Sequence, residues 1–190
     1  DWKTDRNAVL FRKHFKELNP NTKTGIPEHQ VESVIISEME KKSKSKFGGA
    51  FSGIQPVTIE SFPFQMPLPI SASSGKPVYS DGKIDILARR RCGDGKVRLS
   101  VWELKKPQTF SKALDQVYIY SVVLLQLLRS SSGNRWYKIF GFNRPLPAKL
   151  EIEAVVVITP EPKQKEKLHN QLPKFIANNT MQIDNDLIKL

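Results

Sequence analysis

Two runs of alternating apolar and polar residues, Asp81–Arg89 and Leu99–Pro107, flank the turn-forming stretch Cys92-Gly-Asp-Gly95. Alternation with period two is the pattern of a strand, and Gly-Asp-Gly supplies the backbone freedom of a tight reversal. The two runs therefore predict a β-hairpin, and a hairpin dictates which side chains share a face. Ile84 and Ile86 are expected on one face and Asp85 on the other. In the second strand Trp102 and Leu104 share one face, and Glu103 and Lys105 the opposite one. The hairpin can thus bring Asp85, Glu103 and Lys105 together. Two carboxylates and an ammonium on one face suit the holding of a hard divalent cation and the orientation of a water against a phosphodiester.

Helical periodicity follows on both sides. Pro107 stops the second strand, and Thr109 or Ser111 can cap a helix running to about Arg129. Leu114, Val117, Tyr118, Ser121, Val122, Leu125 and Leu128 form its apolar stripe, while Gln116 and Tyr120, four apart, share a different face. Upstream, Pro27 is a good first helical residue for an amphipathic helix from Glu28 to about Lys42. Glu32 has Ile36 and Met39 at +4 and +7, so among Glu28, Glu32, Glu38 and Glu40 it emerges from the apolar side, with Glu28 one turn earlier on that side.

Asp85 followed by Glu103-Leu-Lys105 resembles the PD-(D/E)XK nuclease superfamily, with Gly82-Lys-Ile-Asp85 at the first acid and no Pro before it. Gln116-x-x-x-Tyr120, on the helix after the Glu-x-Lys strand, resembles the signature of the branch containing phage and recombination-associated exonucleases. The resemblance covers roughly residues 28 to 160. It implies an α/β fold with a restriction-endonuclease-like core, a central mixed sheet flanked by helices in the order α-β-β-β-α-β. It further implies a nuclease acting on DNA with Mg²⁺, or Mn²⁺, held by Asp85, Glu103 and the backbone carbonyl of Leu104. Lys105 would position the water, Gln116 and Tyr120 the scissile strand, and Glu32 the outer metal shell. Against this stands the plainer possibility that Tyr120 is core and Gln116 solvated. A catalytically silent nucleic-acid-binding module with the same fold, or a basic scaffold domain, is the alternative for the chain as a whole.

Charge supports a polyanionic partner: the net charge is +11 and the sequence pI about 9.8. Arg89, Arg90, Arg91 and Lys96 gather at the hairpin turn and Lys106 follows Lys105, so these five are the expected backbone contacts. The single cysteine, Cys92, admits no internal disulfide and points to a reducing intracellular compartment. No apolar run is long enough for a membrane span, and an opening on Asp1 rather than Met suggests a piece of a longer chain. His14, His29 and His169 have no metal-ligand spacing, and no Gly-rich phosphate loop follows a strand.

The remaining segments complete a single domain over residues 1–190. An extra helix and loop occupy 1–26, the core 27–160, and a C-terminal helix and tail 161–190. Ser43 to Pro56 reads as a loop, Val57–Glu60 with Phe62 to about Met66 as the first strand, Trp136–Phe140 as a short strand and Ile152–Ile158 as a buried one.

Overall fold

In the computed structural model, which describes residues 27–41, 51–59, 62–63, 66–68, 83–105, 110–158 and 180–190, one strand serves as the axis. The elements run α1 (Pro27–Glu40), β1 (Ile54–Pro56), β2 (Thr58–Ile59), β3 (Phe62–Pro63), β4 (Met66–Pro67), β5 (Lys83–Ile84), β6 (Ile86–Arg91), β7 (Val97–Lys105), α2 (Phe110–Arg129), α3 (Gly133–Ile139), β8 (Glu151–Ile158), β9 (Thr180–Ile183) and β10 (Asp186–Lys189). Six of the strands form a mixed sheet in the order β1-β6-β7-β8-β10-β9. The fold is α/β, with α1 on one face of the sheet and α2 on the other.

The axis is β7. It pairs antiparallel with β6, Ile86 opposite Trp102 and Arg91 opposite Val97, and parallel with β8, Leu99 opposite Ile152 and Lys105 opposite Ile158. Leu99 to Leu104 are all buried, as a strand covered on both faces requires. Its odd-numbered residues Leu99 and Val101 join the core under α2, with Val117, Tyr120, Leu124 and Leu128. Its even-numbered Trp102 and Leu104 join the core under α1, with Ile35 and Met39. Glu103 and Lys105 therefore project on the α2 side. The hairpin turn closes through the Cys92 N–H on the Lys96 carbonyl at 2.8 Å, with Gly95 at φ 75°.

Several expectations from the sequence need correction. Ile84 and Ile86 do not share a face: Ile84 packs under α2 and Ile86 under α1, because the strand breaks at a bend on Asp85. The buried stripe of α2 is Ala113, Val117, Tyr120, Ser121, Leu124, Leu125 and Leu128, so the helix is turned to bring Tyr120 inward and leave Leu114, Tyr118 and Val122 at the margin. Trp136–Phe140 is helical: α3 sets the Trp136 and Phe140 rings on the same side, 5.8 Å apart. The first strand of the large sheet is Ile54–Pro56, inside the stretch expected to be loop, whereas β2 and β3 form a small hairpin of their own and β4 pairs with β5. Residues 180–189 form the antiparallel pair β9–β10, which adds to the sheet beside β8 where a tail was expected. The extra helix expected within 1–26 and the helix expected to open 161–190 lie outside the described residues, as do Thr109 and Lys106. No helix among the described residues is long and apolar enough to cross a membrane.

Candidate functional site

The strand break at Asp85 sets up the site. Where β5 gives way to β6, backbone pairing to β7 lapses, and Asp85 Oδ2 takes its place by accepting the Leu104 N–H at 2.7 Å. A charge-assisted bond of this kind fixes the carboxylate against the strand that carries Glu103. Leu104, whose carbonyl is the expected third metal donor, lies between Glu103 and Lys105.

Two residues apart on one face, Glu103 and Lys105 meet directly, Lys105 Nζ lying 2.9 Å from Glu103 Oε1. The Glu103 side chain is 2 % exposed and that of Lys105 is 24 % exposed, so the carboxylate is enclosed while the ammonium reaches water. Burial of a carboxylate demands such a partner.

Above this pair lies the hydroxyl of Tyr120. Its ring is core, packed with Val117 and Leu124, yet its oxygen accepts from Gln116 Nε2 at 3.3 Å and hydrogen-bonds the backbone of Lys83. Burial raises its pKa above the ordinary tyrosine value, and the negative charges of Glu103 and, less strongly, Asp85 push the same way; the bonds to Gln116 and Lys83 partly oppose them. The phenol therefore stays protonated, an O–H facing two carboxylates. Core residue and site residue are here the same side chain, because the turn of α2 that buries the ring aims its oxygen at the end of β7.

Asp85, Glu103, Lys105, Gln116 and Tyr120 thus come together at the C-terminal end of β7. Glu32 projects from the inward side of α1 and is buried, 6 % exposed. That helix covers the other face of the sheet, and no group of three or more His, Cys, Asp or Glu side chains able to hold a metal ion occurs among the described residues. The donors fit a divalent cation as a two-carboxylate set, Asp85 and Glu103, the number Mg²⁺ commonly takes from protein alongside waters and phosphate oxygens. Glu32, expected in the outer metal shell, stands on the helix that covers the other face.

The arginines of the hairpin turn stand elsewhere. From Ile86 to Arg91, β6 runs five residues, roughly 17 Å, away from the site. Arg89 is tied into the fold, Nη1 donating to the Gly141 carbonyl at 2.6 Å and Nη2 to Gln55 Oε1 at 3.2 Å, and Arg90 is ion-paired with Glu153. Arg91 and Lys96 are exposed at the far end. Two lysines missed by sequence reasoning lie nearer: Lys83, two residues before Asp85, and the exposed Lys112, four residues before Gln116 on the same helix. The helical i−4 rule from Gln116 would have found Lys112; Lys83, whose backbone hydrogen-bonds Tyr120, precedes the bend at Asp85, so alternation could not place it. Comparison with protein-family models, curated proteins and solved structures gives no match.

Proposed function

We propose that the chain is a metal-dependent nuclease, with a restriction-endonuclease-like core, hydrolysing phosphodiester bonds in DNA. The observation that carries this reading is the convergence of Asp85, Glu103 and Lys105 with the hydroxyl of Tyr120, from three elements separated in sequence, at one end of a sheet. The helix–strand–strand–strand–helix–strand order of α1, β1, β6, β7, α2 and β8 supports it.

Each residue has work suited to its chemistry. Asp85 and Glu103 would hold Mg²⁺ or Mn²⁺, which when bound supplies an acidified water and neutralises charge on the phosphate. The Lys105 ammonium, partly exposed and anchored by Glu103, can orient a water or bind a phosphate oxygen. Tyr120 and Gln116 offer neutral donors to the strand being cut, and Lys112, one turn before Gln116, and Lys83, two residues before Asp85, would serve as backbone contacts.

The test is cleavage of circular and linear DNA with and without Mg²⁺ or Mn²⁺ by the wild type and Asp85→Ala. Metal-dependent cleavage lost in the variant is the expected result; a wild type inert with either metal overturns the reading. The second reading, a silent nucleic-acid-binding module, draws on the fact that Glu103 and Asp85 already satisfy Lys105 and the Leu104 N–H. Binding without cleavage would favour it.

A further inference from the structure

We infer that the end of the molecule opposite Asp85 and Glu103 is a second docking surface for a nucleic-acid backbone, built by α3, the α3–β8 connection and the β6–β7 turn. The inference rests on the nucleic-acid reading above, but not on cleavage. It begins with an asymmetry of charge: residues 116–150 contain no Asp or Glu, yet carry Arg129, Arg135, Lys138, Arg144 and Lys149. Arg129 is used within the fold, bonded to Asp186 and to the carbonyls of Pro147 and Ala148. The other four are exposed, and among the described residues none of them forms an ion pair.

Fold contacts gather these cations. α2 runs back from the site, so Arg129 lies about 20 Å from Gln116 along the helix, and its bonds draw the α3–β8 connection to that end. Arg89 then holds Gly141 of the same connection against β6. Arg91, two residues on and on the same side of β6, and Lys96 across the turn therefore join Arg135, Lys138, Arg144 and Lys149 at one end of the molecule; both are exposed.

Among the described residues, all but one of the acids of this end are neutralised. Asp94 pairs with Arg98, Glu151 with Arg98 and Lys189, Glu153 with Arg90, and Asp186 with Arg129. Asp184, in the β9–β10 turn, is the one acid here outside such a pair among the described residues. What remains among the described residues is a surface of six cations, which matches a phosphate array. A lipid surface would want an apolar face beside the charge, and Val97 is the only large apolar side chain of these elements that is strongly exposed. A duplex touching this surface and the site spans roughly six base pairs, at about 3.4 Å each.

The experiment is DNA binding by the full chain, followed by anisotropy in chelator so that nothing is cut, across a series of salt concentrations. Replacing Arg135, Lys138, Arg144 and Lys149 together by Gln should flatten the slope of log K against log salt by about three units and weaken binding at low salt at least about tenfold. The two pairs, Arg135→Gln with Lys138→Gln and Arg144→Gln with Lys149→Gln, should each give about half that effect and keep the test readable if the fourfold variant does not fold. Wild-type slope and affinity in these variants overturn the inference, as does a variant impaired toward phosphatidylserine vesicles but not toward DNA. Either result can occur with metal-dependent cleavage intact, which spares the nuclease reading. Salt-dependent binding by a wild type that never cleaves sinks only the nuclease.

Discussion

Lys105 and Glu103 are unequal partners, and that inequality sets a measurable asymmetry. In Lys105→Met the side chain keeps its length and apolar stem but loses the ammonium, leaving Glu103, 2 % exposed, as a buried carboxylate stripped of this partner. Breaking a buried pair in this way costs about 3–5 kcal/mol; since Lys105 is 24 % exposed and the pair is partly screened, about 2–3 kcal/mol is the expectation here. For a chain of this size that lowers Tm by roughly 4–12 °C. Glu103→Gln strands instead an ammonium that can turn to water, so its cost should be about 1 kcal/mol. A divalent cation bound by Asp85 and the uncovered Glu103 should return most of the loss in Lys105→Met, about 2.7 kcal/mol at a hundredfold excess over Kd. Thermal denaturation of the two variants, with and without Mg²⁺, is the assay. A Lys105→Met protein no less stable than Glu103→Gln would refute the reasoning about burial. Recovery no larger with Mg²⁺ than with matched monovalent salt would refute the metal assignment.

Tyr120 separates its two roles by substitution: Tyr120→Phe keeps the ring and should cost about 1 kcal/mol while lowering cleavage, whereas Tyr120→Ala should cost about 3–5 kcal/mol. Urea midpoints and cleavage rates check both, and full activity in Tyr120→Phe would remove the hydroxyl from the mechanism. At Gly141, φ is +86° and an added Cβ would lie 2.4 Å from Arg89 Nη1. Gly141→Ala should therefore destabilise by about 1–2 kcal/mol, less when Arg89 is also Ala; equal costs in both backgrounds would exclude the clash. Hydrogen bonds from Lys189 and Arg98 hold the Glu151 carboxyl down at about 2, below its ordinary 4.5, and Arg129 lowers Asp186 likewise. Their stabilisation is complete above the ordinary carboxylate range and is lost as pH falls from about 4.5 through about 2. Wild-type stability should accordingly fall more steeply than that of Glu151→Gln across that window, and parallel curves would rule out the depressed carboxyl.

Much of this was legible in the sequence where a local pattern coincides with a tertiary one. β7 reads correctly because alternation and the Glu103–Lys105 pair need only the strand itself. α1 begins at Pro27 and α2 ends at Arg129 as the caps and periodicity indicate. The Asp85 bend was not legible, since Lys-Ile-Asp-Ile alternates perfectly; what breaks it is that Asp85 accepts a hydrogen bond from the neighbouring strand. The rotation of α2 was hidden for a related reason: its apolar residues surround more than one face, and the choice falls to the side that stacks on Leu99, Val101 and Ile152. Trp136–Phe140 is rich in strand-forming aromatics, but Trp136 and Phe140 are spaced for a helix and packing against α2 decides. β10 is beyond local reading altogether, because its order comes from parallel pairing with residues 36 positions earlier, Leu187 opposite Glu151 and Lys189 opposite Glu153.

The alternation of β7 also has a bearing on which changes this protein can survive over generations. Even positions carry the Trp102–Ser100–Glu153 chain of hydrogen bonds and odd positions carry Glu103 and Lys105, on opposite faces. Losing or gaining one residue between Cys92 and Lys96 would slide the strand by one and exchange the two rows, driving a carboxylate into the apolar layer beneath α1. Apart from Asp94, which accepts the Lys96 N–H and pairs with Arg98, a residue able to hold φ near 75° at position 95, and the cation at Lys96, the letters of that turn are free to drift. Their number is not. Among descendants of this sequence, turn length should be inherited far more strictly than turn composition.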